Sequence, residues 1–308
     1  MVHAVVLGSA AGGGFPQWNS NAPACRRARQ GDPAARVRSQ AALAVSANSS
    51  DWFVLNAPPD LRLQIEATLQ LHPRGGLRSS PVAGVVATGG DVDAIAGLLH
   101  LRERHRFDIY APSRVLEIIA ANPIFDVLAR DCVRRIALPL GQRMELAGVS
   151  VTSGLAVEAF AVPGKVPLYL EAAGQDPGLS EEGDAVGLEV IEIATEKSFF
   201  FIPGCAAMTD ALRARLAGSA LVFFDGTLWR DDEMIRLGVG SKTGRRMGHM
   251  SMSGDDGVIA AFRDLDVGRR IFIHINNSNP TLLDDSPERR HANAEGWEIA
   301  YDGMEVTV

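Results

Sequence analysis

The chain has 308 residues, 46% hydrophobic and 22% charged, enough to bury a sizeable core and ordinary for a globular enzyme. A formal net charge of −7 excludes a general electrostatic attraction to nucleic-acid backbones. No apolar run reaches the roughly 20 residues that span a bilayer, and the start, Met1-Val-His-Ala-Val-Val-Leu-Gly8, has no basic flank of a secretion signal, so a cytoplasmic protein away from membranes is expected.

Apolar spacing predicts strands at 2–7, 41–46 and 52–56, with a long loop rich in Gly, Pro, Asn and Arg over 8–38. Leu61, Ile65 and Leu69 recur at helical spacing over 60–71, with Asp60 placed as the N-cap. A buried-strand pattern at 82–88 runs into Gly89-Gly-Asp-Val-Asp93, after which Ile95, Leu98, Leu99 and Arg102 mark a helix. A strand at 108–111 and a helix at 114–128 repeat the alternation. Strands follow at 135–138, 143–146, 149–152, 157–162, 186–193 and 198–202, and a polar loop over 174–184, a candidate for disorder, interrupts them. The last third predicts a helix at 209–217, a strand at 220–224, a helix at 254–262, a strand at 270–275 and a short strand pair near the end. Strands followed by β/α alternation occur twice. That order implies two similar halves in one domain over 1–308, each supplying one sheet with helices outside.

Several positions carry chemistry. The Gly8–Gly14 stretch follows a strand but lacks G-x-G-x-x-G spacing, so it is read as a tight turn where backbone approaches a pocket. Asp91 and Asp93 sit between a buried strand and a helix, where one can cap the helix and both can turn toward one cation. Asp225 follows four apolar residues and must lie at a strand terminus, as a site residue or a turn former. Arg230, Asp231, Asp232 and Glu233 behind it are read as a solvated face. His249 precedes a helix, and His274 closes a strand whose Ile271, Ile273 and Ile275 point the other way. Two imidazoles with one or two carboxylates suit either a non-haem iron triad or a hydrolytic zinc site. Lys242, Arg245 and Arg246 are placed either on substrate carboxylates or on a solvated loop. His3, His72, His100, His105 and His291 are expected in structural or solvated roles. Cys25, Cys132 and Cys205 are far apart and odd in number, which speaks against a disulfide scaffold and a closed tetrahedral zinc site.

Four long motifs stand in order: Gly8-Ser-Ala-Ala-Gly-Gly-Gly-Phe-Pro-Gln-Trp-Asn19, Thr88-Gly-Gly-Asp-Val-Asp-Ala-Ile-Ala-Gly-Leu-Leu99, Phe224-Asp-Gly-Thr-Leu-Trp-Arg-Asp-Asp-Glu-Met234 and His274-Ile-Asn-Asn-Ser-Asn-Pro280. Over nearly its whole length the chain thereby resembles the coenzyme PQQ synthesis protein B family of the metallo-β-lactamase superfamily. The resemblance implies an α/β (α+β) metallo-β-lactamase fold, a four-layer αββα sandwich, and a role in pyrroloquinoline quinone (PQQ) biosynthesis. The superfamily's Thr-His-x-His-x-Asp-His motif falls on 88–94, where Thr88 and Asp93 match. Gly89, Asp91 and Ala94 replace the three histidines, and Cys205 stands near the bridging Asp. A single divalent metal is therefore expected, Fe(II) first and Zn in its place otherwise, at Asp91, Asp93, His249 and His274, with catalytic roles for Asp225 and His249. The family's Cys-x-Cys-x-x-Cys zinc motif falls on Ser20, Ala22 and Cys25, so no structural zinc is expected there.

The expected function is an iron- and oxygen-dependent hydroxylase acting on the tyrosine of a fragment of the PQQ precursor peptide. The resemblance leaves open a non-catalytic carrier aiding transport of PQQ or its precursor, and a metal-dependent hydrolase. Expected partners are the precursor peptide, other PQQ-biosynthesis proteins and a second copy in a homodimer, without nucleic acid or membrane.

Overall fold

The computed structural model describes residues 1–149, 152–171 and 183–308. Its strands are β1 (His3–Gly8), β2 (Ala42–Ser46), β3 (Trp52–Leu55), β4 (Val82–Val86), β5 (Phe107–Ala111), β6 (Val133–Ala137) and β7 (Arg143–Glu145). They continue as β8 (Leu155–Ala161), β9 (Val186–Glu192), β10 (Ser198–Ile202), β11 (Ser219–Asp225), β12 (Val267–Ile273), β13 (Trp297–Ile299) and β14 (Glu305–Thr307). Two seven-stranded sheets result, in spatial order β14-β1-β2-β3-β4-β5-β6 and β13-β12-β11-β10-β9-β8-β7. Each is antiparallel on one side and parallel on the other: β3 to β6 run parallel in the first sheet, β10 to β13 in the second.

Side chains alternate between the two faces of each strand, and that alternation divides the apolar residues into three cores. Between the sheets, Val6, Leu43, Phe53 and Val86 meet Val157, Leu188, Phe201 and Phe223. On the outer face of the first sheet, Val54, Val85 and Ile109 pack against Leu61, Leu98, Val115 and Ile119. On the outer face of the second, Phe200, Val222 and Phe272 pack against Leu212, Leu216, Val258 and Phe262. The layers are helix, sheet, sheet, helix, as the family resemblance implies. Among the described residues no helix is long and apolar enough to cross a membrane.

The helices are shorter than their periodicity predicts, for local reasons. The one expected over 60–71 is Leu61–Ala67 and then a 3-10 turn, Leu69–Leu71, with Leu69 itself 77% exposed. Asp60 caps nothing, because its carboxylate accepts from Gln40 N and Nε2. The helix after Asp91 is Val92–Ile95, continued as the 3-10 stretch Ala96–Leu101. The expected 114–128 helix is Ser113–Ala121 and a 3-10 turn, Pro123–Val127. Pro123 disfavours helical backbone at Asn122, which is extended (φ −107°, ψ 101°). The 254–262 helix shrinks to Val258–Ala261.

Two further expectations change. The closing strands do not pair with each other: β13 lies parallel to β12, while β14 crosses back to β1 through Ala4 and Val306. The first sheet therefore borrows its edge from the end of the chain. Of the strand expected at 149–152, residues 150 and 151 lie outside the described residues, as does most of the loop at 174–184.

Candidate metal centre

β4, β11 and β12 all lie in parallel runs, and the site forms beyond their C-terminal ends, where open α/β sheets commonly bind ligands. β11 ends on Asp225 and β12 on Ile273, paired in register. Gly226 follows because a Cβ there would stand 2.9 Å from Phe272 Cβ. His274 turns off the next strand with φ +60°, a left-handed conformation costly for a non-glycine residue and suggestive of a functional position. His249 follows Gly248, itself at φ +86°.

These turns bring Asp225, His249 and His274 together, with one ligand atom from each lying within 4.8 Å of the others. Thr227 stands in their midst. Its Oγ1 is 2.7 Å from Asp225 Oδ1, 2.9 Å from His274 Nδ1 and 3.1 Å from His249 Nδ1. Asp225, fully buried, also accepts from Thr227 N at 3.0 Å, Cys205 N at 2.9 Å and His249 Nδ1 at 2.7 Å. Both of its oxygens are thus occupied, and a metal among these three Nδ1 and carboxylate atoms would have to displace the threonine. The hydrogen bonds instead assign the protons: His274 Nδ1–H to Thr227, the Thr227 hydroxyl to Asp225, and His249 Nδ1–H to Asp225. His274 Nε2 is then turned to Asp93, and His249 lines the same cavity. A carboxylate or hydroxyl fixing the far nitrogen of a histidine is the usual support of a metal ligand.

Asp93 meets His274 Nε2 at 2.9 Å. Burial is the largest influence and works against charge on both groups, but their hydrogen bond and the attraction of the surrounding charges together outweigh it. Asp93 is held below the usual carboxylate range, and the imidazole is raised above its ordinary value. The proton on Nε2 occupies the place where a cation would bridge the two groups. The donor set therefore fits a divalent metal on the outer side: Asp93, His274 Nε2 and His249 Nε2.

All three line a cavity of about 500 Å³ together with Gly12, Gly89, Asp91, Ala94, Lys165, Lys242 and Asn276. Gly12 carries the glycine-rich turn into the pocket, where a Cβ would lie 3.4 Å from Asp93 Oδ2. Asp225 lies behind this wall. Asp91 lines it, but its Oδ1 accepts Leu168 N at 3.3 Å, and burial, then the Asp93 charge, raises its carboxyl. Cys205 does not offer a thiolate: its Sγ points to Ala207 O at 3.2 Å, and burial pushes the thiol up to about 12.

Of the three basic residues expected near substrate, Lys242 lines the cavity and Arg246 stands beside it, while Arg245 turns outward to Asp256. Lys165, which periodicity does not mark, lines the cavity too, and Glu171 bonds to both lysines. The Lys242 hydrogen bond above all holds the Glu171 carboxyl below its usual range. Glu233, expected on a solvated face, is 7% exposed, accepting from Ser278 Oγ at 2.5 Å and Trp229 N at 2.8 Å. Burial raises its carboxyl to about 7. The N-terminal loop packs through Cys25, fully buried with Sγ 3.6 Å from Asn277 Oδ1, and through a hydrogen bond from Asn277 to Gln17. His3 contacts Glu305, His72 the Glu66 carbonyl and His291 the edge of Trp229, all structural roles.

A family model described as a beta-lactamase superfamily domain matches residues 51–275. Coenzyme PQQ synthesis protein B of Gluconacetobacter diazotrophicus is 59% identical over 308 residues, covering 100% of both chains. The crystal structure of Zn²⁺-bound PqqB from Methylobacterium extorquens superposes with a TM-score of 0.94 at 47% identity, over 99% of this chain and 100% of that one. A diphosphatase of the PhnP family shares the fold, with a TM-score of 0.70 at 17% identity, over 99% of this chain and 96% of that one.

Proposed function

The chain belongs to the coenzyme PQQ synthesis protein B family and takes part in PQQ biosynthesis, and from that premise we propose that it is a cytoplasmic, iron- and oxygen-dependent hydroxylase of a tyrosine in a precursor-peptide fragment. A divalent metal belongs to the site, as the Zn²⁺-bound relative and the convergence of Asp93, His249 and His274 on one cavity both support. The observation that carries the proposal is the outward-facing set of two imidazoles and one carboxylate, Asp93, His249 and His274, opening on a cavity of about 500 Å³. Such a triad leaves about three positions of an octahedral ion for oxygen and substrate. Bound ferrous iron would supply the redox step that zinc lacks.

The chain's own residues prepare that step. Asp225 and Thr227 hold the protons on both Nδ1 atoms, so each Nε2 would be the nitrogen left to bind a metal once His274 gives up the proton it shares with Asp93. Ala11, Leu168 and Met247 add apolar surface to the walls. A dinuclear hydrolase would need ligands that Gly89, Ala94 and the inward-turned Cys205 do not supply.

The test is direct. Iron-loaded protein, given a tyrosine-containing precursor fragment, reductant and air, is expected to add one oxygen atom to the ring, traced by mass spectrometry with labelled O₂. The zinc form is expected to bind the fragment and leave it unchanged. An iron form that binds tightly and adds no oxygen would favour a carrier.

A further inference from the structure

Around Glu171 three cations converge on one carboxylate. Lys242 Nζ lies 2.9 Å from Glu171 Oε2, Lys165 Nζ 3.2 Å from Oε1, and Arg246 Nη1 3.8 Å from Oε2. Arg246 Nη1 is buried and has no hydrogen-bond partner. Positive charge therefore exceeds what Glu171 neutralises, and one donor stays unsatisfied beside it, a costly arrangement in a partly buried wall. The excess is local, since the chain as a whole carries −7.

Lys165 and Lys242 line the same cavity as Asp93, His249 and His274, with Glu171 and Arg246 next to them. Lys165 passes over Gly248, next to His249, so closely that a Cβ on Gly248 would stand 3.0 Å from Lys165 Cγ. Glu171 and Lys165 belong to one segment tied down by Tyr169, whose hydroxyl donates to Gly90 O at 2.5 Å, and by Leu168 N on Asp91. The lysines are thus held in place, and the carboxylate between them is a side chain of the protein itself.

We propose that Lys165, Lys242 and Arg246 form a subsite for a free carboxylate of the substrate, and that Glu171 occupies it as an internal stand-in which the substrate displaces. The proposal rests on the function above for the substrate's reacting ring and adds that this substrate enters as a carboxylate. A carboxylate fits better than a phosphate. The resident group engages one lysine through each oxygen, and the second charge of a phosphate would face Asp91, which also lies within electrostatic reach of Lys165. Binding exchanges one carboxylate for another, so the free protein is protected from collecting adventitious anions at the cost of some affinity.

The experiment uses the full chain loaded with zinc, so that binding is read without turnover. The probes are an N-acetylated tyrosine dipeptide with a free C-terminal carboxylate, its C-terminal amide and inorganic phosphate, each followed by calorimetry. Glu171→Gln is expected to tighten the free-carboxylate dipeptide about tenfold by removing the competitor. Lys165→Met and Lys242→Met are each expected to weaken it about tenfold, and none of the three should move the amide. Thermal melting checks that each variant folds, and the two lysine variants keep the test open if Glu171→Gln does not. The proposal is overturned if Glu171→Gln leaves affinity unchanged or lowers it, if the amide responds equally, or if the dipeptide does not bind. Phosphate displacing the dipeptide at equal concentration would overturn the choice of carboxylate. If this binding pattern holds while the iron form adds no oxygen, the hydroxylase reading fails alone.

Discussion

Two corners meet at the cavity, one from each sheet, and they are built in opposite ways. The corner over 88–94 is bolted to its surroundings by backbone. Thr88 exchanges hydrogen bonds with Asn56, its carbonyl accepts Val186 N at 2.9 Å, and Asp91 is spent on Leu168. From that corner Asp93 alone offers a ligand atom to His274. The corner over 225–276 instead ties its own side chains together, Thr227 Oγ1 and Asp225 holding the Nδ1 atoms of His249 and His274, with Cys205 N as the one outside donor to Asp225. The difference teaches that a metal motif can lose its histidines on one sheet and keep a competent site, provided the other sheet fixes the tautomers of those that remain.

The comparison breaks most sharply at His274. Wild-type protein is expected to bind at most one tight metal per chain, and His274→Ala to abolish that binding, as elemental analysis after reconstitution would show. Stability should fall by about 1–3 kcal/mol, because Asp93 and Thr227 lose a hydrogen-bond partner, while the strain at positive φ is common to histidine and alanine. A variant that kept its metal would make His274 a structural residue. Asp225→Asn should act less severely, lowering metal affinity about 10- to 100-fold through the histidine it orients. An amide nitrogen there would face the donors of either Thr227 or Cys205 and His249, costing about 1–3 kcal/mol of stability. Metal titration beside thermal melting separates the two losses.

Ala94→His returns to the first corner one of the residues it lacks, and it should leave metal content unchanged. A second ion needs at least three ligands, and the Cys205 thiol, held neutral by burial, remains turned to Ala207. The stoichiometry should stay at one. Two equivalents at full occupancy would show that the loss at Ala94 alone made this site mononuclear.

How legible all this was depends on whether a role is written in local pattern. His274 and Asp225 stand out because a polar residue closing an apolar strand must emerge at its end, and His249 as an imidazole in a loop before a predicted helix. Thr227 carried a weak signal, two residues after Asp225 and so on its side of the chain, but its hydroxyl matters only because two distant histidines arrive there. Lys165 and Glu171 sit in an irregular segment without period, and the pairing of Glu171 with Lys242 spans 71 residues of chain. Glu233 was hidden by its company in a run of charges, since nothing local shows that Ser278 will cover it. The sheets were legible from alternation. The helix lengths were not, because Pro123 and the side-chain competition at Asp60 act against periodicity.

Glu233 offers the smallest effect on the metal and the cleanest separation of the site from its support. It sits behind the second corner, linked to the cavity wall through Ser278 and then Asn276, whose Nδ2 donates to Ser278 Oγ at 2.6 Å. Burial raises its carboxyl from 4.5 to about 7 in the folded protein. A raised carboxyl binds its proton more tightly folded than unfolded. Its contribution is therefore complete below about pH 4.5 and is lost as pH climbs through about 7. A shift of this size corresponds to on the order of 3 kcal/mol at most. Wild-type protein should lose stability between pH 5 and pH 8, in denaturant melts of the metal-free form, by more than Glu233→Gln does. The variant keeps an acceptor for Trp229 N and carries no charge to desolvate, so its slope should be flatter while its metal affinity at pH 7 stays that of the wild type. An equal slope in both would mean that Glu233 is ionised in the fold. A fall in metal affinity would mean that the Glu233–Ser278–Asn276 chain belongs to the metal-holding corner as much as Asp225 does.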